Sequence, residues 1–138
     1  MRGNLLLGSL LAALTLTPNY SAAYDAERVK AHLSDDLVHC TVYYQFDALS
    51  AKEGNRKDIE AAAVTSKNYS LELLVALRPQ KEEIPKIEAD IDSSLKQFAG
   101  VIKKEGWSRL TLQYGDLCQK LLENPKARIQ YWLDKRDR

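Results

Sequence analysis

The chain has 138 residues, with 20 Lys and Arg against 19 Asp and Glu, a formal net charge of +1. Without residues 1–23, whose only charged side chain is Arg2, the two signs balance at 19 each. A neutral chain has no global attraction for nucleic acid or for anionic lipid, which sets both aside as partners.

The first segment reads as an export leader. Met1-Arg2-Gly3-Asn4 carries one cation, and Leu5 to Leu16 follows without a charge. Ser21-Ala22-Ala23 then offers the small residues at which a signal peptidase cuts. Cleavage is expected between Ala23 and Tyr24, making 1–23 a signal peptide and 24–138 a single helical domain. The apolar run is shorter than the roughly 20 residues that cross a bilayer, so no stable membrane anchor is expected after cleavage. No cysteine stands at position 24 to take a lipid; the nearest is Cys40. The expected location is the periplasm or the secreted fraction, where thiols oxidise. Cys40 and Cys118 are the only cysteines, and one bridge between them is expected. There is no C-x-x-C, which argues against a thioredoxin-type redox site and against attached c-type haem.

The pattern after the leader is helical nearly throughout, broken by Gly and Pro. The first helix is expected from about Ala26 to Leu49, with Asp25 as its N-cap. Val29, Leu33, Leu37, Cys40, Tyr44 and Ala48 recur at helical spacing and form one apolar stripe. Thr41-Val42-Tyr43-Tyr44 has local strand propensity, which the flanking helical period outweighs. Glu53-Gly54-Asn55 ends this helix, with Asn55 as the next cap. The second spans about Arg56 to Leu77, with a stripe of Ile59, Ala62, Ala63, Ser66, Tyr69, Leu73 and Leu77. Pro79 stops it.

The third helix, about Ile84 to Lys104, has the cleanest amphipathic pattern: Ile84, Ile87, Ile91, Leu95, Phe98 and Ile102. Pro85 suits a first turn, Gly100 marks either a weak point or a close backbone approach, and Gly106 is the stop. The fourth runs from about Ser108 to Leu122 and points Leu110, Tyr114, Leu117, Cys118 and Leu121 inward, with Gly115 inside it. Asn124-Pro125 is a cap followed by a first-turn proline, which opens a short last helix. The fold class is therefore all-α: an antiparallel four-helix bundle-like domain with a short C-terminal fifth helix. Near the end, Lys126, Arg128, Lys135, Arg136 and Arg138 outnumber Asp134 and Asp137, the pattern of a solvated last helix whose cations favour its own C-terminal dipole.

His32, Asp36 and His39 step by four and three, so one side of the first helix carries two imidazoles and a carboxylate. That set is the candidate metal site, although a fourth ligand would have to come from another helix. Haem held by two histidines fails, because seven residues on one helix separate His32 and His39 by about 10 Å. A Met ligand fails as well, since the only methionine is Met1. There is no G-x-S-x-G elbow, no H-E-x-x-H and no phosphate-cradling glycine loop. His39 and Cys40 are adjacent on a helix and do not face each other. Asn68-Tyr69-Ser70 and Asn19-Tyr20-Ser21 match the glycosylation sequon, the first inside a helix and the second in the leader; both read as chance.

The aromatics cluster at Tyr43, Tyr44 and Phe46 and again at Tyr131-Trp132, with Trp107 at a turn. These are core, lid or partner-contact residues. The expected function is that of a small exported, non-catalytic binding, interaction or stress-related protein, not an enzyme, with no cofactor and with a protein as partner. A stress protein of this kind would loosen in acid and expose its apolar stripes. The alternative is a metal- or cofactor-binding bundle centred on His32, Asp36 and His39.

Overall fold

The computed structural model describes the backbone over residues 4–135 and side chains over 22–135. The apolar run Leu5–Leu16 and the sequon at Asn19 lie outside the described side chains, and Met1-Arg2-Gly3 and Arg136-Asp137-Arg138 lie outside the described residues. Among the described residues every regular element is a helix, so the all-α class holds.

α1 runs Asn4–Glu53. Asp25 is therefore interior to the helix rather than its N-cap, and the helix continues one turn beyond Leu49. The β-branched stretch at Thr41 stays helical. The Thr41 hydroxyl is absorbed locally by donating to the Leu37 carbonyl at 2.7 Å.

α1 ends in a turn that fixes its own carbonyls. The Arg56 amide donates to the Ala51 carbonyl (2.8 Å) and the Asn55 amide to that of Lys52 (3.0 Å). This is the paired closure of a Schellman motif. Its left-handed position is filled by Asn55 at φ 55°. Asn55 was expected to cap the next helix; instead it closes the previous one, because asparagine tolerates the left-handed backbone that such a closure requires. α2 then starts behind Arg56 with no side-chain cap and runs Lys57–Leu77.

A 3-10 turn, Lys81–Glu83, leads into α3, Ile84–Glu105, with Pro85 in the first turn. Gly106 takes φ 85° and stops the helix, as its position implies. Residues 107–123 form one rod in three parts: α4 (Trp107–Leu110), a π turn (Thr111–Gly115) and α5 (Asp116–Glu123). Asn124 follows. Its side-chain carbonyl accepts from the Ala127 amide at 3.2 Å, capping α6, Pro125–Asp134.

α1 is the hub. It touches α2, α3, the π turn, α5 and α6. That explains why its middle is not a single stripe: Leu33, Asp36, Leu37, Val38, Cys40, Val42 and Tyr43 are all buried, and together they cover every side of the helix. Phe98 of α3, Leu74 of α2 and Leu110, Tyr114 and Leu121 of the 107–123 rod close the same core. α2 meets it through Ala63, Ser70 and Leu74. The expected α2 stripe thus holds at Ala63, Leu73 and Leu77, which meet the core, and fails elsewhere. Ile59 and Tyr69 are exposed, and Ser70 sits inside, satisfied by donating to the Ser66 carbonyl at 2.9 Å. Gly100 faces open space, which removes the close-approach reading.

The Cys40–Cys118 disulfide joins α1 to α5 across 78 positions, with both sulfurs fully buried and Cα atoms 5.4 Å apart. This is the bridge expected from the cysteine count.

Candidate functional site

His32, Asp36 and His39 lie on one side of α1, but each has a separate occupation. Asp36 is the centre. Its Oδ2 accepts from Arg128 Nε (2.7 Å) and from Trp132 Nε1 (2.7 Å), and its Oδ1 accepts from Arg128 Nη2 at 3.1 Å. The fork-to-carboxylate pairing is bidentate, the geometry in which arginine binds an acid most strongly. His32 stacks on Trp132 with ring centroids 4.1 Å apart and planes 7° from parallel. His39 turns the other way, between Phe98 (5.8 Å) and Tyr114 (5.4 Å). Burial in that apolar setting holds its imidazole below the usual 6.5, against the opposing pull of Asp35 and Asp36. Among the described residues, no three His, Cys, Asp or Glu side chains gather where they could hold a metal ion.

The two α6 residues that complete this cluster, Arg128 and Trp132, were not foreseen as partners of Asp36. A carboxylate set among Leu33, Leu37 and Val38 is the available signal, since an acid on a buried face calls for a cation or a donor. Arg128 was read as a solvated end charge. Its side chain is in fact only 19% exposed, because it spans from α6 to α1. Arg28 on α1 completes the attachment by donating to the backbone carbonyls of Trp132 and Lys135, each at 2.8 Å. It thereby caps the free end of α6.

α6, held in this way, forms one wall of a cleft whose other wall is the π turn and α5. The cleft has a volume of about 380 Å³. It is lined by Leu112, Leu117, Leu121, Ala127 and Tyr131 together with the polar Gln113, Asp116, Lys120, Asn124 and Arg128. Leu112 is 82% exposed and Tyr131 42%. π turns inside α-helices recur at functional sites, because the extra residue re-aims the side chains around it. Here the π turn ends at Gly115, and a β-carbon there would stand 3.2 Å from the Tyr43 hydroxyl oxygen. Gly115, which weakened the helical reading of the sequence, leaves room on the rod for the Tyr43 side chain of α1.

A second, polar cleft lies between α1, α2 and α3 around Arg78. Its guanidinium reaches Glu83 (2.8 Å), Asp90 (2.7 Å) and the Ser34 hydroxyl (3.3 Å), so its charge is spent on joining three elements.

Ala23 and Tyr24, the expected cleavage pair, are both exposed on α1. No helix among the described residues is long and apolar enough to cross a membrane. The chain matches no protein-family model, no curated protein and no solved structure.

Proposed function

We propose that this is an exported, non-catalytic binding protein that docks a segment of a protein partner in the cleft between α5 and α6. The carrying observation is Leu112. A leucine 82% exposed in the lining of this cleft leaves hydrophobic area in water that a partner would cover. The volume of about 380 Å³ falls at the lower end of the range of ligand-binding clefts. Tyr131, an amphipathic ring at the rim, is of the residue type enriched at interface hot spots.

In this reading residues 1–23 are a signal peptide cut between Ala23 and Tyr24, and the protein works in the periplasm or outside the cell. The Cys40–Cys118 bridge fits an oxidising compartment. Cutting there would move Asp25 into the first turn of the shortened α1, where an acid favours the helix dipole. α1, α2, α3 and the 107–123 rod are read as the four members of an antiparallel bundle, with α6 as the fifth helix. A non-catalytic role is supported by the occupation of the candidate chemical groups in packing: Asp36 by Arg128 and Trp132, His39 by Phe98 and Tyr114.

The test is site-specific photocrosslinking in the organism the chain comes from, with the crosslinker placed at 112 and, as a control, at the exposed Val64 of α2. A discrete adduct from 112 that is absent at 64 is the expected result. The same adducts from both positions, or none from 112, would remove the reading.

A further inference from the structure

α2 packs on α1 and touches α5, and its buried residues are Ala63, Ser70 and Leu74. On the side away from them, Ala61, Val64, Asn68, Leu71 and Val75 follow one another at steps of three, four, three and four. That spacing is the a and d repeat of a coiled coil, with Ala61, Asn68 and Val75 at a and Val64 and Leu71 at d. It is a second stripe, separate from the one that meets the core. Val64 is 37% exposed and Val75 44%, Ala61 and Asn68 are exposed as well, and Leu71 is half-buried. A hollow of about 580 Å³ opens among Asn68, Leu71, Glu72, Val75 and Ala76, where a facing helix could set a side chain. The next positions of the repeat are Lys57 and Arg78, and Arg78 is committed to Glu83 and Asp90. The seam therefore covers 61–75, about 21 Å of helix at 1.5 Å per residue.

The polar residues of the seam identify what covers it. Asn68 stands in the middle at an a position, where an asparagine fixes register and partner number because it is satisfied only opposite another polar group. Lys67 holds the g position before it, and Glu72 the e position five residues on. In a parallel pair, g of one helix faces that e of the other. Among the described residues of its own chain, neither Lys67 nor Glu72 has an ion-pair partner. About a two-fold axis along α2, Asn68 meets Asn68 of a second copy and the Lys67–Glu72 contact forms twice. An antiparallel pairing that keeps the seam sets a against d. It would bury Asn68 against Val64 or Leu71 and leave Lys67 with no acid across from it. A β-branched residue at a with leucine at d, as at Val75 and Leu71, favours two strands. A free helix with so short a repeat would not pair, but α2 is already folded on α1, so association carries no cost of forming the helix.

We propose that α2 pairs with α2 of a second copy of this chain, parallel and in register across 61–75, making a two-fold dimer. The seam is short beside the interfaces of obligate dimers, so the pair is reversible and forms with rising concentration. None of its residues lines the cleft at Leu112, and the inference stands apart from the docking reading.

Sedimentation equilibrium of the protein purified from the organism the chain comes from, with its disulfide intact, tests the association. The wild type is expected to pass from one copy to two as concentration rises to about 1 mM. Val75→Lys sets a cation on the seam and is expected to weaken association at least about tenfold. Its unfolding midpoint should stay near the wild-type value, since Val75 is 44% exposed in the single chain. Lys67→Glu is expected to weaken association about threefold, and adding Glu72→Lys to restore it. Val64→Cys tests direction: in the parallel pair it meets its own copy, and mild oxidation should give a disulfide-linked dimer. In the crosslinking experiment, position 64 is then expected to capture a second copy of this chain, distinct in mass from the partner held at 112. A single copy at every concentration, a three-copy mass, or association untouched by Val75→Lys would overturn the dimer. A charge exchange that restores nothing, or cysteines that link 64 to 75 but not 64 to 64, would overturn the parallel register and with it the proposal.

Discussion

The middle of α1 and the terminal helix α6 pack against each other, yet opposite forces hold them in place. Around Leu37, Cys40 and Val42, α1 is enclosed by apolar side chains from three other segments, and a disulfide ties it to α5. α6 has no fully buried residue and is fixed by a carboxylate, a guanidinium, an indole N–H and two carbonyl caps. Burial is non-directional, whereas charge-assisted hydrogen bonds are directional and fail when either partner is removed. One small protein therefore carries a resistant region held by packing and a disulfide beside a more responsive one held by a few directed bonds.

The largest expected effect would break the resistant side. Cys40→Ala with Cys118→Ala opens a loop of 78 positions, and the chain-entropy model gives a loss of about 4 kcal/mol. Denaturant unfolding with and without reductant measures it. Reduction of the wild type should reproduce most of the loss, and an unchanged midpoint would show that packing alone holds α1 to α5. Next comes Leu37→Ala. Leu37 is 2% exposed, and truncation should cost about 3 kcal/mol of global stability. In hydrogen exchange, both changes should lower the protection of α2 and α3 amides, since those helices share the core.

Most of this resistant half was legible in the sequence. The three- and four-residue spacing of Leu33, Leu37 and Cys40 placed the core side of α1, the cysteine count gave the bridge, and Gly106 and Asn124-Pro125 marked their boundaries. What escaped was set by tertiary contact. α2 turned Ser70 inward and Tyr69 outward, because the small hydroxyl can satisfy itself on the Ser66 carbonyl where the helices meet closely. Asp36 was seen as a chemical group on a polar face. Its true partners lie 92 and 96 positions away, and no local period encodes a pairing at that distance. The cleft was invisible for the same reason, since it depends on where α6 folds back against the 107–123 rod.

A smaller change sharpens the responsive side alone. Asn124→Ala removes the N-terminal side-chain cap of α6, the 3.2 Å bond from the Ala127 amide, and should cost about 1 kcal/mol. With α6 held to the core by a few directed bonds, exchange of its amides is expected to quicken by about fivefold at neutral pH, with α2 and α3 unmoved. Equal acceleration in α2 would mean that α6 and the core open as one unit, and the contrast between the two regions would collapse.

The most delicate effect comes from His39, which stands where the two regions meet. Its ring lies against Phe98 and Tyr114 in the core, while Asp35 and Asp36 draw it toward the charged form. Burial wins, so the folded state binds this proton less readily than the unfolded chain, whose imidazole titrates near 6.5. Between the folded value and 6.5 the unfolded chain holds the extra proton. The contribution of His39 is therefore complete above 6.5 and is lost as the pH falls through the lower folded value. The ring is only half-buried, so solvent screens the effect and the slope is shallow. Denaturant midpoints taken at several pH values should decline below 6.5 in the wild type and decline less in His39→Phe, which keeps an aromatic ring against Phe98 and Tyr114. A slope as steep in His39→Phe as in the wild type would assign this pH dependence to another group.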